Sequence, residues 1–556
     1  MIVCSDTNTR DVIISNLKLA QRGHYFVFNE KVISPAFFCV LFSNTKEVAD
    51  YLLTILDTID INKLSENEMS MLMYSCQYSH TISSINTVDL LIRHKADCNQ
   101  QGINGYTALM FAAICTNTTS GISTVEFLVD NGADCNIKNY KGSSALSLVC
   151  TKLMFGSTVD TIRCLIERKA DINTTCCLGN TPTMTLLSSN GRSDAVSILL
   201  DYKADVSICN KQGSTALMLA SMYSNELDHT ILDKLLESKS ELDAQNKLGY
   251  TALMYASRYS GTTSSPDTVK FLLSRKADIN LTDVYNRNSL LLSLSTKTST
   301  YDTTRILLEY KSDINGVSDS STALHIASTI LTHNENDILR YLIRNTKDIN
   351  KKDGNENTAL LQYIKNCHYP NKSILELFTD MKADITLCNN DNMSCLHYLV
   401  SKNSYDPDVI LSFSMLVDIP TKNKKDTPII YMLKYNRNQS IVSKIFNILI
   451  PYIKNVNHYD SSFNTALGYT LTKEAYVPDI ILKLLHKGAK VISTMFCETK
   501  YVSLLYNHYN ESDKYNLTAA MMGFESYQIY VREMQSELLT KINLCKLFRQ
   551  SNLFTH

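Results

Sequence analysis

Catalysis needs side chains held beside one another, and the reactive residue types of this 556-residue chain are spread too evenly for that. The twelve histidines are dispersed. No Gly-x-x-x-x-Gly-Lys-Ser/Thr loop to cradle phosphate, no His-Glu-x-x-His for zinc and no Gly-x-Ser-x-Gly elbow occurs. The sixteen cysteines include no Cys-x-x-Cys pair, the local spacing that metal ligation requires. Several of them (Cys98, Cys135, Cys209 and Cys388) recur at equivalent points of a period, as scattered thiols in a reducing cytosol or nucleus do. A recurring aspartate, at 97, 134, 171 and 278, comes closest to an acid array. One carboxylate per ~36 residues leaves neighbours too far apart for shared acid–base work, so these residues read as turn formers bonding their own backbone. The expectation is a chain with no enzyme activity, no cofactor and no metal.

What the spacing does reveal is a repeat. Thr-Ala-Leu phrases begin at Thr107, Thr215, Thr251, Thr322 and Thr358. Degenerate copies begin at Ser34, Ser70, Ser144, Thr181, Asn288, Ser394, Thr427 and Thr465. Successive starts lie 33–38 residues apart. A second phrase precedes most copies: Ala96-Asp97-Cys98-Asn99, Ala133-Asp134-Cys135-Asn136, Ala170-Asp171-Ile172-Asn173, Ala277-Asp278-Ile279-Asn280 and Ala383-Asp384-Ile385-Thr386. Two phrases in one register over thirteen units describe a solenoid, which grows along one axis and needs no single large core.

One unit shows the physics. Asn104-Gly105-Tyr106 is a turn signal, and Thr107 is placed to cap the helix that follows. Ala108, Leu109, Phe111, Ala112 and Ala113 make a short helix with small residues for close approach. Polar residues 117–121 break it. A second helix from about Ser123 to Asn131 carries Val125, Leu128 and Val129 inward, and Gly132 ends it. An extended arm leads to the next turn.

Turn, helix, loop, antiparallel helix and arm resemble the ankyrin repeat. Its pattern is matched by Gly249-Tyr250-Thr251-Ala252-Leu253-Met254-Tyr255-Ala256 and by Phe271-Leu272-Leu273-Ser274-Arg275-Lys276-Ala277-Asp278-Ile279-Asn280. The family proline is usually alanine here, surviving as Pro35, Pro182 and Pro428. The family histidine, which ties the turn to the threonine, is usually methionine, surviving as His325 and His397. Long Ser/Thr/Asn-rich inter-helix loops, such as residues 259–266, resemble the ankyrin proteins of giant DNA viruses and, more distantly, poxviruses. The resemblance implies an all-α repeat solenoid, an ankyrin-type stack of about thirteen units with short β-hairpin arms, spanning residues 34–492.

Residues 1–33 lack the phrase and suggest an N-terminal cap. Residues 493–556 read as a C-terminal cap or an eroded repeat with a helical tail, Tyr527 to Phe548 carrying an apolar stripe. Poxvirus ankyrin proteins often end in an F-box-like segment that recruits a ubiquitin ligase, but its usual Leu-Pro start is absent here. With 54 basic and 55 acidic residues, no global field attracts nucleic acid, and Lys422, Lys424 and Lys425 read as a solvated loop. The longest apolar run, Pro35 to Phe42, is too short to span a membrane. The expected protein is an intracellular monomer, cytoplasmic or nuclear, that binds protein partners and neither nucleic acid nor membrane. In the family, hairpin tips project from the concave side. The implied contact residues are therefore Tyr106, Tyr140, Lys141, Lys211, Gln212, Lys247, Tyr250, Tyr285 and Arg287. Substrate recruitment to a ubiquitin ligase is the alternative.

Overall fold

A computed structural model of the chain describes residues 2–489, except 5–9, 23, 29–30, 154–155, 190–191, 227–228, 296–300, 319, 331–335, 403–405 and 473–477. Among the described residues a short helix begins one residue after each of the thirteen phrase starts, from Pro35–Leu41 through Ala108–Ile114 to Ala466–Thr472. Each is followed by a second helix, from Lys46–Ile55 through Ile122–Asp130 to Pro478–His486. The anchor residue is the N-cap. Thr107 accepts the Met110 N–H at 3.3 Å, Thr251 that of Met254 at 3.2 Å and Thr358 that of Leu361 at 3.3 Å. Asn288 substitutes its amide oxygen, accepting from Leu291 at 3.0 Å. Ser34 makes no such bond. Each cap satisfies a donor that the helix leaves open, worth about 1 kcal/mol.

The rest of the phrase is core. Leu109, Leu217, Leu253, Leu324 and Leu360 are all buried, and the alanines beside them let successive first helices touch. Met71–Gln77 packs on Ala108–Ile114, which packs on Ala145–Lys152. Second helices stack in the same way, Ile122–Asp130 on Val159–Glu167, with Val125 and Leu128 fully buried. Gly132, at φ +92°, closes its helix. Its N–H donates to the Val129 carbonyl and that of Ala133 to the Leu128 carbonyl, both at 3.0 Å. In seven other units a lysine takes this left-handed position: Lys95, Lys169, Lys203, Lys239, Lys276, Lys311 and Lys382, at φ +60° to +68°.

The polar inter-helix loops are stitched together rather than merely solvated. The N–H groups of Asn44, His80, Asn117 and Asn225 donate to the carbonyls of Ile82, Thr119, Gly156 and Thr263 in the following units, at 3.0–3.2 Å. Beneath them run hydroxyl clusters. Ser79 bonds Ser120 at 3.0 Å and Thr124 at 2.7 Å, and Ser224 bonds Ser264 at 2.9 Å and Thr268 at 2.6 Å. These side chains are buried, so the bonds satisfy groups that water cannot reach.

Contacts divide the chain into two compact units. Met1–Val284 with Thr298–Ser312 form the first, and Tyr285–Lys297 with Asp313–His556 the second. The first opens with strands Ile2–Cys4, Phe26–Phe28 and Lys31–Ile33, the middle one pairing parallel with the first and antiparallel with the third. Helix Arg10–Ala20 packs on Pro35–Leu41, and Phe26 stacks on Phe38 at 4.3 Å, so this element covers the first repeat. Among the described residues of the second, Val317–Ser318 pairs antiparallel with Ser321–Thr322. The expected C-terminal cap with its helical stretch, and with it the ligase-docking alternative, lies outside the described residues.

Candidate protein-binding surface

The chemistry-bearing residues of both phrases are consumed by the fold. Asp134 turns back to accept the Asn136 N–H at 2.8 Å, as expected of a turn former. The asparagine then reaches the next unit: Asn136 accepts the Asp171 N–H at 2.7 Å and donates to the Lys169 carbonyl at 3.3 Å. Asn99 repeats both bonds, to Asp134 at 2.7 Å and Gly132 at 3.0 Å. His325 and His397 sit where the family histidine belongs. The Ser394 N–H donates to His397 Nδ1 at 3.1 Å, which leaves the ring proton on Nε2, and Nε2 donates to the Asp426 carbonyl at 3.0 Å. His325 does the same between Thr322 and the Asn357 carbonyl, at 3.3 and 3.1 Å. Burial pushes the His397 pKa down to about 4, against the raising effect of that carbonyl, and lowers His325 in the same direction. Where methionine replaces histidine, sulfur stands in weakly: Ser70 N–H meets Met73 Sδ at 3.3 Å.

The tips are built differently. Asn139 accepts N–H bonds from Lys141 at 3.0 Å and Ser143 at 2.9 Å, and Asn246 accepts from Leu248 and Tyr250 at 3.0 and 2.9 Å. The residue after the asparagine donates its N–H to the preceding tip. Tyr140 donates to Asn104, Lys211 to Leu178 and Lys247 to Gln212, each at 3.0 Å. Gly105, at φ +77°, makes room for this approach; a Cβ there would lie 2.6 Å from the Tyr140 ring. Stacking thus uses the backbone and leaves the side chains outside. Tyr140 is 75% exposed, and Lys141, Lys211, Gln212 and Lys247 are exposed as well. In the second unit Tyr285 is exposed, with the half-buried Arg287 guanidinium 4.9 Å from its ring centroid.

Two expected tip tyrosines are placed otherwise. Tyr250 is only 6% exposed; its ring lies 5.2 Å from Tyr255 and its hydroxyl accepts from Arg258 at 2.7 Å. Tyr106 is half-buried, 5.3 Å from Phe111, and helps line a cleft with Phe28, Tyr74 and Tyr78. The reason is register. Tyr106 and Tyr250 stand one residue before the capping threonine, where a side chain folds back on its own helix. Tyr140, Lys211 and Lys247 stand four residues before the anchor, at the apex.

A family model for ankyrin repeats, three copies long, matches residues 36–139, 120–208, 148–246, 187–283, 222–317 and 264–353, together more than half of the chain. The chain belongs to the ankyrin-repeat family. No curated protein matches it. In ankyrin terms, an anchor residue (Thr, Ser or Asn) and its helix pair are in place in all thirteen units, although the match stops at residue 353. Ankyrin repeats are generally protein–protein interaction modules, and exposed tips are what such a module offers.

Two features escaped the reading by phrase. The hydroxyl clusters carry a sequence signal, Ser-x-x-x-Thr, at Ser83–Thr87, Ser120–Thr124, Ser157–Thr161 and Ser264–Thr268, which looks like ordinary loop composition until its burial is seen. The other is a buried charge cluster. Lys434 Nζ lies 2.6 Å from Asp460 and also bonds Asp426, both carboxylates fully buried, and the Tyr469 hydroxyl donates to Asp460 at 2.6 Å. Burial holds the Asp426 carboxyl above the usual range. Asp460, though buried too, is held below it by Lys434 and Tyr469. Among the described residues most cysteines are buried, and desolvation pushes the Cys39 thiol up to about 12 and Cys135 to about 11, far from nucleophilic.

Proposed function

We propose that this chain is a non-enzymatic scaffold that binds protein partners through the exposed apex side chains of its repeats, Tyr140, Lys141, Lys211, Gln212 and Lys247, with Tyr285 and Arg287 as a further contact in the second unit. One observation carries the reading: at the apex the backbone does the stacking, so side-chain identity there is free to vary. Tyrosine and arginine are the side chains that most often anchor protein interfaces. Buried thiols fit a reducing intracellular compartment, and the long polar loops keep the likeness to viral ankyrin proteins as our reading of its origin.

Affinity capture from cells with the wild-type chain and with a Tyr140→Ser/Lys211→Ser/Lys247→Ser variant tests this. The variant is expected to melt with the wild type yet lose its principal partner at least tenfold, about 1.4 kcal/mol. A partner retained by the variant, but lost on changing the inter-helix loops near Thr118 and Thr263, assigns recognition to the loop edge and ends this proposal.

A further inference from the structure

We infer that the second compact unit carries a separate docking site for an acidic protein segment, centred on Tyr435 and built with Lys365, Tyr398, Lys422, Lys424 and Lys425. Tyr435 projects from the end of helix Pro428–Tyr435 and is 44% exposed. The Tyr431 ring lies 4.5 Å from it. Lys424, on the tip before that helix, donates to the Tyr435 hydroxyl at 2.9 Å, with Nζ 5.5 Å from the ring centroid. On the preceding helices, Lys365 Nζ lies 5.8 Å from the Tyr398 ring. Aromatic faces and ammonium groups therefore alternate across adjacent units.

The charge here is concentrated. Other tips carry one or two lysines, such as Lys211 or the pair Lys351 and Lys352, but this one carries three within four residues in a chain of formal charge −1. Among the described residues, Lys365, Lys422, Lys424 and Lys425 are exposed, and none has a carboxylate within ion-pair distance. The carboxylates behind the tip, Asp426 and Asp460, are held inside by Lys434. Asp391 is the exposed acid on the preceding tip, and Glu356, one tip further, is engaged by Lys352 at 3.3 Å. The lysines are presented by a closed turn: Thr421 N–H donates to the Asp426 carbonyl at 2.9 Å and Asp426 N–H to the Thr421 hydroxyl at 3.0 Å. A fixed turn loses little freedom on binding. An acidic segment with apolar residues between its carboxylates fits: carboxylates meet the lysines, and the apolar side chains lie on Tyr431 and Tyr435. Four lysines on one short face, in a neutral chain, fall short of the extended basic field that a nucleic-acid backbone selects.

The site shares no residue with the first unit's tips, so the two proposals fail separately. The test is fluorescence anisotropy of the full chain with a dye-labelled 16-residue peptide of alternating Asp or Glu and Leu, beside a Lys/Leu peptide and a single-stranded 16-mer oligonucleotide. The acidic peptide is expected to bind with a Kd in the range of about 1–100 µM, weakening as salt rises. Lys422→Glu/Lys424→Glu/Lys425→Glu should weaken it at least tenfold. Because three reversals also burden the turn, a hydrogen-exchange footprint of the wild-type complex supplies a reading without mutation, with protection expected over 421–435 and absent from 139–142. No saturable binding of the acidic peptide, protection elsewhere, or tighter binding of the oligonucleotide, which would assign the face to nucleic acid, overturns the inference.

Discussion

Seven lysines in a left-handed backbone are the clearest local conflict between sequence and structure. A Cβ in that region costs about 1 kcal/mol relative to glycine, and Gly132 shows that the fold accepts glycine there. Lys203→Gly is therefore expected to raise the unfolding free energy by up to about 1 kcal/mol, read by urea denaturation; a loss of stability would mean that the lysine stem makes a contact outweighing the strain. The histidines give the opposite kind of prediction. With its folded pKa depressed from the ordinary 6.5 to about 4, His397 favours the fold when neutral. Its contribution is complete above pH 6.5 and is lost as pH falls through the window from 6.5 to 4, on the order of 3 kcal/mol by the end. His397→Gln should flatten that part of the stability–pH curve, and an unchanged curve would refute the assignment. The structural roles of Asp134 and His397 were legible from the sequence because Asp134 bonds Asn136, and the His397 ring bonds Ser394, within their own phrases. The burial of Tyr250 was not, since it depends on where Tyr255 and Arg258 fall on a neighbouring turn of helix.

At the scale of elements, the helix pairs were legible almost to the residue. Capping chemistry is local, and a threonine, serine or asparagine marks each start. The expected second helix at 123–131 falls at Ile122–Asp130. The inter-helix loops were read as polar connectors because composition alone does not reveal burial. Thr268 shows what was hidden: its hydroxyl donates to Ser224, which also meets Ser264, all three within the core of one stack. Thr268→Val keeps the shape and removes the donor, leaving buried hydroxyls short of a partner. A loss of about 1–3 kcal/mol is expected in denaturant unfolding, against little change for a substitution at the exposed Thr262. Equal effects at both positions would make the loops simple spacers.

For the molecule as a whole, these structural bonds join adjacent units: the Asn136 side chain reaches forward to Lys169 and Asp171, the His397 ring forward to Asp426, and the Tyr140 backbone N–H back to Asn104. Repetition of such nearest-neighbour bonds is what made thirteen units readable from spacing alone. The same property hid the Lys/Tyr face near Tyr435, which is assembled from side chains in adjacent units and belongs to no single phrase. If stability resides in these local couplings, damage must stay local. Native-state hydrogen exchange on Leu217→Ala tests this most directly, since Leu217 is fully buried in its unit and its truncation costs about 2–5 kcal/mol. Protection is expected to fall in helices Ala216–Met222 and His229–Glu237 and in the flanking pairs 182–201 and 252–274, while helices Met71–Gln77 and Ile85–Arg93 keep wild-type rates. A uniform loss of protection across all the repeats would contradict the account.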